Sequence, residues 1–198
     1  MKELVINGSM SHIKKSNPDF DQEKLEVIQY GLEGLYILIT KTAIILVIAA
    51  LLGIVKELII FALIYNFIRM PSFGLHATKS WICLVSSLTI FIGSAFVCTL
   101  ITIPINIKII LGIILIFFIC KNSPADTEKR PIINPKRRFI YKLLSTGIAI
   151  IFVTSSIIIP NNFLDNCFIF SLIVQCFMIS PTIYKLFNLP YDNYKNYI

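Results

Sequence analysis

After the first 34 residues, long apolar runs alternate with short polar breaks. In "SNPDFDQEKLEVIQYGLEGL", Leu25, Ile28, Leu32 and Leu35 recur at helical spacing and form one apolar face. Asn17 suits an N-cap and Pro18 a first helical position. Asp19, Asp21 and Glu23 suit the positive end of a helix dipole. The pattern predicts an amphipathic helix that lies on a membrane surface and runs into a first span. Apolar segments follow at 35–54, 57–70, 81–103, 105–120, 141–159 and 163–187. A spanning helix takes about 20 apolar residues. Residues 57–70 and 105–120 are short, so the expectation is six spans with two weak members, or four full spans and two partial ones. Pro181 predicts a kink in the last. The fold class is therefore an all-α integral membrane protein. Residues 1–34 form a cytoplasmic amphipathic region, 35–187 a single transmembrane domain with a basic loop at 121–142, and 188–198 a short cytoplasmic tail.

Composition supports this reading. Hydrophobic residues make up 56% of the chain and charged ones 15%, against about 25% charged in an ordinary globular chain. A net charge of +7 raises nucleic acid as a partner, but the basic residues stand beside apolar runs, where they read as an orientation signal instead. The N-terminus lacks the apolar core of a secretory signal. The loop at 121–142 carries Lys121, Lys129, Arg130, Lys136, Arg137, Arg138 and Lys142, whereas "PNNFLDN" carries no Lys or Arg. That contrast predicts a multi-pass plasma-membrane protein with both termini, the basic loop and the segment "RMPSFGLHATKSWIC" on the cytoplasmic side.

Candidate chemistry centres on that segment. Five scattered cysteines, two histidines and no CxxC pair argue against a zinc site or a disulfide framework, and no cofactor is called for. Cys98, Cys120, Cys167 and Cys176 lie in or beside spans with no base nearby and read as small buried apolar residues. Cys83 differs. With Ser80 as N-cap, Cys83 falls in a first helical turn, where a thiolate is favoured, and Lys79 adds positive charge. On one continuous helix His76 would sit about 10 Å from Cys83 along the axis, so the chain must turn between them. Pro71 and Gly74 mark the approach as irregular. Two readings stay open: a chance neighbour, or the Cys–His pair of nucleophilic catalysis. Arg69 is either a snorkelling anchor or a group that binds a carboxylate or oxyanion. Glu33 is either a solvated charge or an acid that orients His76. The run "KRPIINPKRR" is a topology signal, with contact to anionic lipid or an acidic peptide as the other reading.

The segment resembles the signature of accessory gene regulator B (AgrB) proteins, membrane cysteine endopeptidases of Gram-positive quorum sensing. Arg69, Gly74, His76, Ala77 and Cys83 match its Arg, its Gly-x-His-Ala and its Cys seven positions on. The turn reads "PSFG" where the family carries a run of glycines. "SPADTEKRPI" is similar to the family's A-P-A-D-T-x-x-K-P-I loop, with Ser123 and Arg130 as departures. Chain length and the acidic N-terminal helix agree.

The resemblance implies that His76 and Cys83 remove the acidic C-terminal tail of an AgrD-like propeptide. An acyl-enzyme on Cys83 then yields a thiolactone autoinducing peptide. Arg69, Gly74 and Glu33 would support the site, and Lys129, Arg130 and Lys136 would meet the tail. It also implies a homodimer in contact with membrane lipid. The competing expectations are a non-enzymatic export component for a signal peptide and another membrane Cys–His acyl-transfer enzyme.

Overall fold

A computed structural model describes residues 2–75, 80–127 and 131–197. The protein is an all-α membrane protein, and five helices are long and apolar enough to cross a bilayer. The chain divides into two compact units, Met1–Leu52 and Gly53–Ile198.

In the first unit, α1 (Lys2–Ser16) packs on α2 (Gln22–Leu51) through Ile6 and Met10. The sequence pattern gave no sign of α1 and placed the next cap at Asn17. Instead Asn17 closes α1, since both its backbone N–H and its Nδ2 donate back to the Ile13 carbonyl. The cap of α2 is Asp21, whose Oδ1 accepts from Lys24 N at 2.8 Å. α2 then continues unbroken for 30 residues, about 45 Å at 1.5 Å per residue. That exceeds a hydrocarbon core of about 30 Å, so its polar first turns extend beyond it. Leu25, Ile28 and Leu32 are half-buried on one face, while Leu35 is exposed.

The second unit comprises α3 (Val55–Ser72), α4 (Ser80–Leu88), α5 (Ser94–Leu100), α6 (Ile105–Asn122), α7 (Pro135–Ile158), α8 (Asn162–Ile179) and α9 (Pro181–Leu186). A π-type turn at Thr89–Gly93 joins α4 to α5 into one spanning segment. α3 has 18 residues but carries Lys56, Glu57 and Arg69 at its ends, and it does not count among the five spans. α8 is the hub, with half of its apolar window buried against α3, α5, α6 and α7. α6 and α7 approach closely at Gly112, where an added Cβ would meet Val153 Cγ1 at 2.5 Å.

Three boundaries depart from the sequence expectation. α3 persists through Pro71 to Ser72, so the irregular backbone begins only at Phe73. The stretch from 135 to 142 is helix, because Asn134 Oδ1 caps α7 by accepting from Lys136 N and Arg137 N. Basic residues in a first turn oppose the helix dipole, and here the Asn134 cap and the Arg138–Asp126 pair offset that cost. Finally, the segment 163–187 is broken, not kinked. Pro181 disfavours the helical region for the residue before it, and here Ser180 is extended at φ −70°, ψ 126°. Cys98 and Cys167 are buried and Cys176 is half-buried, but Cys120 is exposed on α6.

At one end of this unit lies a buried ion pair. Lys108 Nζ of α6 donates to Asp165 Oδ2 of α8. Asn166 beside it donates to the Cys98 and Ile101 carbonyls at 3.2 and 2.6 Å, which serves the end of α5. At the other end meet the close of α3, the loop at 123–127, the Ser180 break and the C-terminal segment.

Candidate active site

The site is built from the backbone that leaves α3. Phe73 has φ 57° and ψ −136°, a conformation rare for a residue with a side chain, and Gly74 follows at φ +117°. Such strain amounts to about 1–3 kcal/mol and persists only where the surroundings over-determine it. Here they do. Phe73 N donates to the Arg69 carbonyl at 3.0 Å, Gly74 N to the Ala125 carbonyl at 2.8 Å, and Leu75 N to the Met178 carbonyl at 3.0 Å. Ala125 N returns a bond to the Ser72 carbonyl at 3.0 Å, making a short parallel β-bridge. The Phe73 ring stands edge-on to Tyr141 with centroids 5.1 Å apart.

Two side chains complete the cradle. Arg69 donates through Nη1 to the Phe73 carbonyl at 2.7 Å and through Nη2 to the Leu75 carbonyl at 2.8 Å, with a long 3.5 Å contact to the Gly74 carbonyl. Gln175 Nε2, buried near the C-terminal end of α8, also reaches the Phe73 carbonyl, at 2.9 Å. A Cβ on Gly74 would meet the Met178 carbonyl oxygen at 2.7 Å and the Arg69 guanidinium closer still. Glycine is therefore required both for its φ and for space. Met178 is free to accept from Leu75 because the Ser180–Pro181 break stops α8 from continuing over its last carbonyls.

The backbone is thus fixed up to residue 75. His76, Lys79, Lys129 and Arg130 lie outside the described residues, as do residues 78–79 of the turn expected at Thr78–Ser80 and any cap of α4, while Ser80 already belongs to α4. α4 starts at Ser80, one position earlier than a Ser80 cap would give, and Cys83 remains in its first turn, half-buried. Lys136 is exposed in the first turn of α7. Glu33 belongs to the first unit, where its carboxylate pairs with Lys2 at 2.7 Å.

The sequence reading missed Asp126, Arg138 and Gln175. Asp126 is 1% exposed. Its Oδ1 accepts from Asn193 N at 3.0 Å, and its Oδ2 accepts from Tyr194 N at 3.0 Å, Ile132 N at 3.4 Å and Arg138 Nη1 at 3.3 Å. Tyr184, whose phenol burial pushes up, donates to the Asp126 carbonyl at 3.2 Å. A lone amide in an apolar span, such as Gln175, was the available signal, because polar groups at membrane depth are expensive to keep. Asp126 stood inside the "SPADTEKRPI" motif, but nothing in the sequence named its partners.

Fold and site together define a multi-helix membrane protein whose two polar motifs are joined through backbone hydrogen bonds at one end. The accessory gene regulator B family model matches residues 6–179, and the chain belongs to that family. It is 34% identical over 196 residues to a putative AgrB-like protein of Listeria innocua, covering 93% of this chain and 91% of that one. Identity to a putative AgrB-like protein of Clostridium acetobutylicum is 29% over 182 residues, covering 91% and 87%. With the accessory gene regulator protein B of Staphylococcus carnosus it is 28% over 166 residues, covering 84% and 83%. No solved structure matches the chain. Membership ties the protein to the accessory gene regulator system of quorum sensing.

Proposed function

We propose that this protein is the cysteine endopeptidase of its regulator system and acts on an AgrD-like propeptide. The observation that carries the proposal is the pinning of Gly74 and Leu75. A backbone held by Ala125, Met178, Arg69 and Gln175 hands the chain directly to His76, and Cys83 follows in the first turn of the next helix. Preorganised geometry of this kind is what a nucleophile and its base need.

In the proposed reaction His76 takes the proton from Cys83 Sγ. The thiolate attacks the carbonyl carbon of the peptide bond that precedes the propeptide's acidic tail. The bond breaks, His76 returns the proton to the leaving amine, and a thioester joins the substrate to Cys83. The substrate's own cysteine thiolate then attacks that thioester. A thiolactone forms and the Cys83 thiolate is released, to be reprotonated. One thioester replaces another, so no energy-rich co-reactant enters. Arg69 is a positioning residue in this scheme, since its guanidinium is engaged by the Phe73 and Leu75 carbonyls. Lys129, Arg130 and the exposed Lys136 are left to meet the acidic tail. The same proposal takes the Lys and Arg bias as an orientation signal, with this end and both termini facing the cytoplasm and α3 as a sixth crossing. Homodimerisation and lipid contact are part of the same proposal.

The test is co-expression with a propeptide that has an amphipathic start, a central cysteine and an acidic end, following its mass. Tail loss should vanish in Cys83→Ala and in His76→Ala and persist in Cys98→Ala. A substrate whose ring cysteine is replaced should remain attached to Cys83. Tail loss that survives Cys83→Ala sinks the assignment.

A further inference from the structure

We propose that the C-terminal segment, Tyr191–Tyr197, is a latch on the frame of this site, and that Asp126 is the positioning residue through which it acts; the role in catalysis rests on the reading above. After α9 the chain turns back on itself. Asn188 and Asp192 adopt positive φ of 51° and 56°, and Leu189 N donates to the Tyr184 carbonyl at 2.9 Å. The 3-10 turn Asn193–Tyr197 then presents two consecutive N–H groups, of Asn193 and Tyr194, to the buried Asp126 carboxylate, each at 3.0 Å. Arg138 closes the arrangement from the other side. Its Nη1 donates to Asp126 while its guanidinium lies 3.4 Å from the centroid of the Tyr194 ring. Tyr191 adds a further anchor, edge-on to Tyr184 at 5.0 Å, with its hydroxyl donating to the Asn122 carbonyl at 3.4 Å.

What makes this more than a tidy chain end is the residue next door. Ala125, adjacent to Asp126, exchanges both backbone bonds with Ser72 and Gly74. The carboxylate of one residue holds the tail, and the amide and carbonyl of its neighbour hold the strut before His76. A buried carboxylate that loses two of its donors must find others or move. Movement of Asp126 moves Ala125, and with it the hold on Gly74. The tail therefore sets the rigidity of the strut from outside the motif pair.

The test uses the full-length protein in lipid nanodiscs and compares wild type, Asp126→Asn, Tyr191→Ala/Tyr194→Ala, the triple variant and Lys195→Ala. Lys195→Ala serves as control, because it removes the Asp192 pair and a distant 5.9 Å approach to the Tyr194 ring but leaves every donor to Asp126 in place. The first readout is amide exchange of the peptide covering 72–75. The second is the rate at which iodoacetamide alkylates Cys83, with exposed Cys120 as an internal reference. In Asp126→Asn and in the double tyrosine variant, exchange at 72–75 should quicken about 10-fold or more while the centre of α6 stays protected. Cys83 alkylation should change by a similar factor relative to Cys120, and the triple variant should go no further than either parent. Lys195→Ala should match wild type. Unchanged protection at 72–75, or effects that add in the triple variant, overturn the latch. Lost protection with unchanged Cys83 alkylation overturns the positioning role and leaves the peptidase reading standing. Conversely, tail cleavage surviving Cys83→Ala removes the peptidase reading and leaves the amide-exchange result intact.

Discussion

Gly74 donates its backbone N–H to the carbonyl of Ala125 at 2.8 Å, and this bond joins the two motifs of the chain. One motif leads to His76 and Cys83. The other is the "SPADT" loop, where Asp126 collects the C-terminal segment. Together they make one end of the second unit a single hydrogen-bonded frame.

Gly74→Ala should be severe. The methyl group would fall 2.7 Å from the Met178 carbonyl oxygen on a backbone at φ +117°. Strain of about 1–3 kcal/mol corresponds to roughly a 5- to 150-fold loss of propeptide cleavage if the site absorbs it. Initial rates in membrane preparations, with protein levels matched by immunoblot, check this. Full activity would show that the turn tolerates a side chain.

Arg69→Lys should fail to rescue. A lysine keeps the charge but has no planar fork for the carbonyls of Phe73 and Leu75. The expectation is a fall in kcat of about 10-fold or more with little change in KM, because in the proposed reaction the residue positions the site and does not bind substrate. If Arg69 instead gripped the acidic tail, KM would rise and kcat would hold.

The Lys108–Asp165 pair predicts non-additivity. Both side chains are buried, and Asp165 Oδ1 has no partner among the described residues. Asp165→Leu alone strands a buried ammonium and should destabilise by about 3–5 kcal/mol. Lys108→Met with Asp165→Leu should recover most of that loss. Thermal aggregation of detergent-solubilised protein measures both. Equal destabilisation by the single and double variants would contradict the pairing.

Alkaline pH should loosen the latch. Burial first, and Asp192 second, push the Tyr191 phenol up from 10.0 to about 12. An acid whose pKa is raised by folding adds stability that is complete below its unfolded value and fades as pH rises through the folded one. The C-terminal segment should thus hold to about pH 10 and release as pH approaches about 12. Phenolate absorbance follows the step, and Tyr191→Phe should remove its share. A step at the ordinary tyrosine value would mean that the phenol is not buried.

Much of the protein was legible from the chain alone. Apolar run lengths and the scarcity of charge dictated a helical membrane protein, because lipid leaves every backbone polar group to be satisfied within its own helix. The break between α3 and α4 was visible, since Gly74 and the polar run around it cannot sit in an apolar span. Both motifs could be read from residue identities and spacing. Boundaries set by local competition were less accessible. Asn17 and Asp21 are both credible caps, and only the presence of α1 decides that Asn17 ends one helix while Asp21 begins the next. Pro181 announced a disturbance, yet the use of that disturbance, a free Met178 carbonyl for Leu75, depends on α8 lying beside the end of α3. The pairing of Gly74 with Ala125, the reach of Gln175 to Phe73 and the capture of the C-terminal segment by Asp126 belong to the tertiary structure alone. Periodicity records which face of a helix is apolar. It carries no record of which distant carbonyl an orphaned N–H will meet once the helices have packed.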